Sequence, residues 1–353
     1  MKKICLLLLA LSFNLASAGL LESPSGKKYM TTEIVGQGSF GKVTLAREVG
    51  PNTAKWAVKS SHAGDDYRTA AHIESNFLRV FNSMSLPVVH LEDSFEQSGQ
   101  VHLVLERLES DLTKYQKTDG RSNDRSRIFP LQEVRQVVRN VLLVLQGMHF
   151  KDIIHTDIKP ENIMVQSTAP FRVKVIDFGN AIHKDNSESG EYIQTRWYRA
   201  PEILLRRNYT PAIDIWSLGC VLYELATGQV LFRGANSIEQ LTLIQKMLLP
   251  NDLYLVHLLK EFQIMIDKHP EAPPEEYIDP FLSSKLYSKF MGPMETTAFE
   301  TDVLTSAELT DDAVPFADLL IQMLQIDPDQ RITAEDALRH PFLRMPVPPA
   351  SID

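Results

Sequence analysis

The sequence predicts an α+β protein, with a β-rich first part and a longer, mainly helical second part. Three observations carry that reading. Ile34–Arg47 reads as strand, glycine turn, strand, with alternating residues on either side of Gly36, Gly38 and Gly41. From Pro130 onward Leu131, Val134, Val138, Val141, Leu145 and Met148 recur at helical spacing. Ile213–Val230 is apolar on nearly every side, the pattern of a helix buried all round. At 353 residues the chain can be two domains or one large bilobal one, and it can bury a sizeable core.

Composition is that of an ordinary soluble globular protein, and the net charge of −9 argues against non-specific nucleic-acid binding while favouring basic partners. The first eighteen residues differ from the rest. Lys2 and Lys3 precede the largely apolar Ile4–Leu15, and Ala16-Ser17-Ala18 has the small-x-small form of a peptidase site. That is a secretory leader over residues 1–18, which implies a secreted or lumenal protein. A mis-assigned start or a buried N-terminal helix would instead leave the chain cytoplasmic or nuclear. The apolar run is too short to span a bilayer comfortably, and no other stretch is long enough. With Cys5 in the leader, only Cys220 remains, so no internal disulfide can form. Asn208-Tyr209-Thr210 is a formal glycosylation sequon.

Taken in order, Gly19–Lys28 reads as a polar linker. The glycine turn Gly36-Gln37-Gly38-Ser39-Phe40-Gly41 lets backbone amides approach phosphates closely. Taken alone it could also open a dinucleotide fold, but a strand, not a helix, follows it through Val43. Trp56-Ala57-Val58-Lys59 reads as the third strand and turns Lys59 inward, where an ammonium group needs an anion. Tyr67–Asn82 is helical and carries Glu74; Val101–Leu108 is a strand; Asp119–Arg127 is a polar loop. The helix from Pro130 delivers the chain to His155, and strands around Ile163–Val165 and Val173–Ile176 end at Asp177. Asp214, inside the buried helix, must be paired or cap the helix N-terminus. Asn236–Leu249 is helical, about 250–315 is rich in proline and acid, and Phe316–Ile326 and Ala334–Arg339 are the last helices. Residues 344–353 form a Pro-rich tail.

The glycine turn, Lys59, Glu74, the run His155-Thr156-Asp157-Ile158-Lys159-Pro160-Glu161-Asn162, Asp177-Phe178-Gly179, Ala200-Pro201-Glu202, Asp214 and Arg331 stand in one order. Together they resemble a eukaryotic protein kinase domain over residues 29–343. The resemblance implies a small β-rich N-lobe with one main helix (29–108), and a larger helical C-lobe (109–343) holding the insert. It also implies ATP and Mg²⁺. Asp157 would take the proton of the acceptor hydroxyl, Lys159 would neutralise the transferred phosphoryl group, and Asn162 and Asp177 would hold the metal. The nucleotide would lie against Val35, Gly36, Gly38, Ser39, Gly41, Val43, Ala57 and Met164, with Lys59 paired to Glu74. The backbones of Glu106 and Leu108 would face adenine, with Leu105 as gatekeeper. Asp214 would hold the catalytic loop, and Arg331 would pair with Glu202.

Glu191–Glu202 is similar to the activation segments of the CMGC group, which includes cyclin-dependent, MAP, Dyrk, Clk and SR-protein kinases. Tyr192-Ile193-Gln194 resembles Dyrk-type enzymes; Glu191-Tyr192 with Thr195–Arg199 resembles MAP kinases; His155-Thr156-Asp157 resembles Clk and SR-protein kinases. The subfamily stays open. Thr195 stands where such kinases place the threonine that binds the catalytic Asp and Lys, and with Lys159-Pro160-Glu161 it implies Ser/Thr acceptors. Arg199 is expected to shape a pocket for proline after the acceptor. Thr156 replaces the arginine that usually docks a phosphorylated loop, so one cationic receiver is missing. Phosphorylated Tyr192 is expected to pair with Arg196 and Arg199, which would add autophosphorylation on tyrosine. The chain is expected to act as a monomer on protein substrates, basic or proline-directed. A pseudokinase that only binds or scaffolds is the competing class, although Lys59, Asp157, Asn162 and Asp177 are all present.

Overall fold

The structure is a computed structural model. It describes residues 19–38, 41–50, 54–108, 110–117, 128–187, 192–251, 257, 259, 260, 294, 299, 301, 303 and 312–344. The leader, Ser39, the loop at 119–127, most of the 250–315 insert and the tail beyond 344 lie outside the described residues. Chain contacts divide the described residues into two compact units, one of residues up to 82 with 89–108, the other of 83–88 with everything after 108.

The first unit is a six-stranded sheet of β1 (Leu20–Glu22), β2 (Lys28–Gly38), β3 (Gly41–Glu48), β4 (Lys55–Ser61), β5 (Leu91–Gln97) and β6 (Gln100–Glu106), in the order β1-β2-β3-β4-β6-β5. One helix, α1 (Asp65–Ser83), joins it. Successive residues of a strand point to opposite faces. Val58 therefore joins Tyr29, Ala46, Phe95 and Val104 in the core, while its neighbour Lys59 is turned to the other face. A Cβ on Gly41 would lie 2.0 Å from the Ser60 carbonyl oxygen, so only glycine lets β3 start beside β4. On α1, Ala71, Glu74, Ser75, Leu78 and Phe81 are buried. Full burial of Leu78 and Phe81 contributes about 1.5–3 kcal/mol each.

Gly19–Lys28 departs from the expected linker. Leu20–Glu22 forms an edge strand paired antiparallel with Met30, Tyr29 and Lys28, and Trp56–Lys59 thus belongs to the fourth strand rather than the third. Leu21 packs on the Tyr29 cluster. The Gln97 side chain of β5 meets β1 from the far edge, accepting from Glu22 N at 2.9 Å and donating to Leu20 O at 3.4 Å.

The second unit is built on α3 (Leu131–His149) and α5 (Ala212–Thr227), after the short β7 (Ser110–Asp111) and α2 (Leu112–Lys117). Val137, Leu142 and Val144 are buried on α3 beyond the expected stripe, because it packs on α5 and on the hairpin β9 (Ile163–Thr168) and β10 (Phe171–Val175). Between α3 and the hairpin lies β8 (Ile153–Ile154), which pairs with β11 (Ile182–His183). All of Ile213–Thr227 except Glu224 is buried, as an all-round apolar helix requires. Gly228 ends it in the left-handed conformation, φ 72°, with its N–H on the Glu224 carbonyl at 2.8 Å. The short α4 (Pro201–Leu204) precedes α5, and α6 (Ser237–Leu248) follows it, capped by Asn236. The final helices are α7 (Ala313–Met323), α8 (Ala334–Leu338) and α9 (Pro341–Arg344), so Arg344 closes a helix rather than opening the tail.

Candidate active site

The loop between β8 and β9 holds the residues expected to carry the chemistry. Asp157 is its centre. Its Oδ1 accepts from the Thr195 hydroxyl at 2.7 Å and from Thr195 N at 3.1 Å. Its Oδ2 accepts from Lys159 Nζ at 2.6 Å and from Asn162 Nδ2 at 3.2 Å. Lys159 Nζ also donates to Thr195 Oγ1 at 3.0 Å, and Asn162 Nδ2 to the Asp157 carbonyl at 2.8 Å. The three residues read as a catalytic set thus meet around one carboxylate. A carboxylate so surrounded by donors is fixed in direction, as a positioned proton acceptor needs.

The loop is held from below by Asp214. This residue lies three positions into α5 with no exposed surface, and its oxygens accept from His155 N at 2.9 Å and Thr156 N at 3.0 Å. It also takes His149 Nε2 at 3.0 Å. Of the two readings open in the sequence, the helix cap is therefore wrong, since both oxygens are spent on the loop. The His155 ring contacts Phe178 edge-on, with centroids 5.1 Å apart. Its Nε2 lies 3.3 Å from the Ile176 carbonyl, which can only accept, so that nitrogen carries the proton and Nδ1 is free to accept from Asp157 N at 3.3 Å. Ile176 N bonds to Asn162 O at 2.9 Å, which places Asp177, in a left-handed conformation with φ 63°, next to the loop.

In the first unit, Lys59 Nζ donates to both oxygens of Glu74, at 2.9 and 2.8 Å, with Glu74 buried in α1. The inward lysine has found the anion its burial demanded. Val35, Gly36 and Gly38 lie on β2, Gly41 and Val43 on β3, Ala57 on β4 beside Leu105 of β6, and Glu106 ends β6 with Leu108 two residues on. Among the described residues a Cβ on Gly38 would meet nothing within 4 Å, so packing against them does not account for that glycine. Met164 lies on β9 of the second unit, opposite Asp111.

The activation segment holds residues the sequence did not single out. Gln194 is left-handed, φ 65°, and its side chain spans to α5, donating to Ile213 O at 3.1 Å and Ser217 Oγ at 2.8 Å. Its carbonyl is turned onto Arg199, whose Nη2 donates at 2.6 Å while Nε takes Ile193 O at 2.7 Å. The Arg199 guanidinium lies 3.6 Å from the centroid of the exposed Tyr192 ring. Arg196 Nη2 is the group beside the Tyr192 hydroxyl, at 3.5 Å. In the unmodified segment the two arginines expected to receive a phosphorylated Tyr192 therefore both lie against its side chain, Arg199 under the ring and Arg196 beside the hydroxyl. Arg199 is 3 % exposed and committed to two carbonyls beneath the ring, which leaves Arg196 at the tip. Tyr198 donates to Glu224 at 2.7 Å, and burial, with the Glu161 charge nearby, raises the Glu224 carboxyl above its ordinary value. A second acid, besides Asp214, in a mainly apolar helix was the signal that could have found this pair.

The protein kinase domain family matches residues 29–343. The chain belongs to the protein kinase family. Its two units are accordingly the N-lobe and C-lobe of the α+β kinase fold. The kinase is 33% identical over 338 residues to homeodomain-interacting protein kinase 2 of Mesocricetus auratus, an alignment covering 90% of this chain and 28% of that protein. It is 33% identical over 330 residues to mitogen-activated protein kinase p38b of Drosophila melanogaster, covering 89% and 79%. Extracellular signal-regulated kinase 1 of Candida albicans is 32% identical over 336 residues, covering 90% and 73%. The kinase thus spans somewhat more than a quarter of the first relative and most of the other two. The MAP kinases among them belong to the CMGC group that the activation segment resembles.

The kinase reaction implies ATP and usually Mg²⁺, and the donor types fit. Among the described residues no cluster of three or more His, Cys, Asp and Glu could hold a metal unaided. Mg²⁺ commonly takes one or two side chains and completes its shell with phosphate and water. Asn162 and Asp177 offer such oxygens, and the open side of Gly38 leaves room for phosphates to approach the backbone.

Proposed function

We propose that this chain transfers the γ-phosphoryl group of ATP to serine and threonine hydroxyls of proteins. The observation that carries the proposal is the Asp157 carboxylate fixed by Lys159, Thr195 and Asn162. Asp157 accepts the proton of the acceptor hydroxyl. Lys159 sits on the same carboxylate and offsets negative charge gathering on the phosphoryl group, while Thr195 holds base and lysine in register. Asn162 and Asp177 would hold Mg²⁺ in the C-lobe, and Lys59, braced by Glu74, would bind phosphate in the N-lobe. When bound, the metal–nucleotide complex supplies the phosphoryl group and neutralises its charge.

We further propose that the acceptor is followed by proline. Gln194 adjoins Thr195, and its carbonyl is already taken by Arg199 at 2.6 Å. An acceptor peptide with an N–H at that place would lose water and find no partner, whereas proline has no N–H to satisfy. The Glu161 and Glu224 carboxylates favour a basic residue elsewhere in the peptide. Phosphorylation of Tyr192 would strengthen its contact with Arg196 and order the segment.

The test is phosphate transfer from ATP and Mg²⁺ by the chain beginning at Gly19, with sites mapped by mass spectrometry. Asp157→Asn is expected to lower kcat by about 10²–10⁴-fold. Equal activity in that variant would show that the transfer does not come from this site, and nucleotide binding with no transfer in the wild type would move the reading to a scaffold. Arg199→Met, by releasing the Gln194 carbonyl, is expected to reduce the preference for a peptide with proline after the acceptor over one with alanine.

A secretory leader over residues 1–18 is proposed as well. Cleavage after Ala18 would leave Gly19 as the new terminus, and its nitrogen already donates to Thr31 Oγ1 at 2.9 Å, a bond an ammonium group can keep. Sequencing the N-terminus of the protein made in its own cells decides this: an intact Met1 refutes it. No helix among the described residues is long and apolar enough to cross a membrane.

A further inference from the structure

Thr156 occupies a conformation that costs energy. Its φ is 68°, the left-handed region, where a β-branched side chain is a genuine outlier. Such strain persists only where the surroundings over-determine it, and three contacts do so here. Asp214 takes the N–H groups of His155 and Thr156. The side chain is turned inward, 1 % exposed, and its hydroxyl donates to the Asn180 carbonyl at 2.8 Å.

The position of Asn180 gives this bond its meaning. Asn180 directly follows Asp177-Phe178-Gly179. On the other side of Asp177, His155 Nε2 lies 3.3 Å from the Ile176 carbonyl. The catalytic loop therefore grips the Asp177 turn on both flanks with two consecutive residues, and the Phe178 ring is buried against His155 between them. Asp177 is itself left-handed, φ 63°, a conformation that also needs external support. An arginine at position 156 would be placed to receive a phosphate added to the loop by phosphorylation. A hydroxyl bound to a main-chain carbonyl needs none.

We infer that Thr156 is a positioning residue, whose hydroxyl holds the Asp177 turn in its metal-binding conformation without any phosphate. This rests on the assignment of Asp177 as a metal ligand under the proposed function. The bond acts through Asp177 and does not touch the reacting atoms. Groups that orient a metal ligand from behind commonly change metal affinity by about ten- to a hundredfold when removed.

Thr156→Val and Thr156→Ser separate the hydroxyl from the shape. Valine keeps the branch and loses the bond, while serine keeps the bond. The first readout is amide hydrogen exchange across Asp177–Ala181 in metal-free, nucleotide-free protein, beginning at Gly19. Valine is expected to speed exchange there about tenfold or more while α5 stays protected as in the wild type, and serine to restore the wild-type rate. The second readout is binding of ADP with and without Mg²⁺ by calorimetry. Valine is expected to lose about tenfold or more of the Mg²⁺-dependent part alone, and serine to recover it. Exchange and Mg²⁺-dependent binding unchanged in Thr156→Val would overturn the inference and leave the kinase reading standing. Exchange changed as expected, but with no Mg²⁺-dependent ADP binding even in the wild type, would overturn the metal-binding role of Asp177 and the inference with it. Loss of protection in α5 as well as the turn would mark Thr156 as a general packing residue, which also overturns it.

Discussion

At the scale of single residues, burial decides which groups keep their charge. Lys59 and Glu74 are partnered with both carboxylate oxygens engaged, so Glu74→Gln would leave the lysine a weaker acceptor in a partly buried place. We expect that substitution to raise KM for ATP and to lower the urea midpoint, by less than a fully buried pair would because Lys59 is partly exposed, measured by initial rates and equilibrium unfolding. His102 is a second case. Burial lowers its pKa below the ordinary 6.5, with the Lys42 charge adding to the effect, while the bond to the Gln97 carbonyl opposes it. Its Nε2 faces that carbonyl at 3.4 Å, so Nδ1 accepts from Ser60 Oγ at 2.8 Å. In the window between the lowered value and 6.5 the unfolded chain binds more protons than the native one, so stability falls as pH drops through it. His102→Gln should flatten the dependence of the urea midpoint between pH 7.5 and 5.5; an unchanged slope would refute the account. Residue types were legible in the sequence here, but partners were not. Asp214 could be read as a cap or as a brace, and only the folded path of His155 and Thr156 decides.

At the scale of elements, long periodic segments were legible and short ones were not. The stripe from Leu131 to Met148 announced α3, and the unbroken apolar run from Ile213 announced a buried α5. β1 was missed because three residues beside Ser23, Pro24 and Gly26 give no period to count. What makes them a strand is tertiary: three paired residues on β2 and the Gln97 amide from β5. A chain beginning at Ser23 should lose about 1–2 kcal/mol, a drop of a few degrees in the thermal midpoint. A midpoint within one degree of the longer chain would show β1 to be idle. Gln194 illustrates the same limit at the activation segment, since the turning of a carbonyl by a positive φ leaves no trace in residue type.

At the scale of the whole molecule, the order of motifs was enough to place the chain in its family, because residues far apart in sequence must meet. Arg331 and Glu202 are separated by 129 positions, and both side chains are fully buried in a bidentate pair of 2.8 and 3.1 Å. Arg331 also donates to the carbonyls of Ala212, Gln325 and Ile326, so it ties the start of α5 to the turn after α7. Removing one member leaves the other buried and unpaired, and Glu202→Gln should destabilise the C-lobe by about 3–5 kcal/mol, seen as a lowered urea midpoint for α-helical signal. The N-lobe sheet meets a different requirement. The outward-facing groups of its edge strand β1, Leu20 O and Glu22 N, are taken by the single side-chain amide of Gln97, which copies the peptide group of a neighbouring strand. An edge filled from within its own chain offers no template to a strand from another molecule, so this corner of the sheet is guarded against strand-by-strand aggregation while the protein is folded.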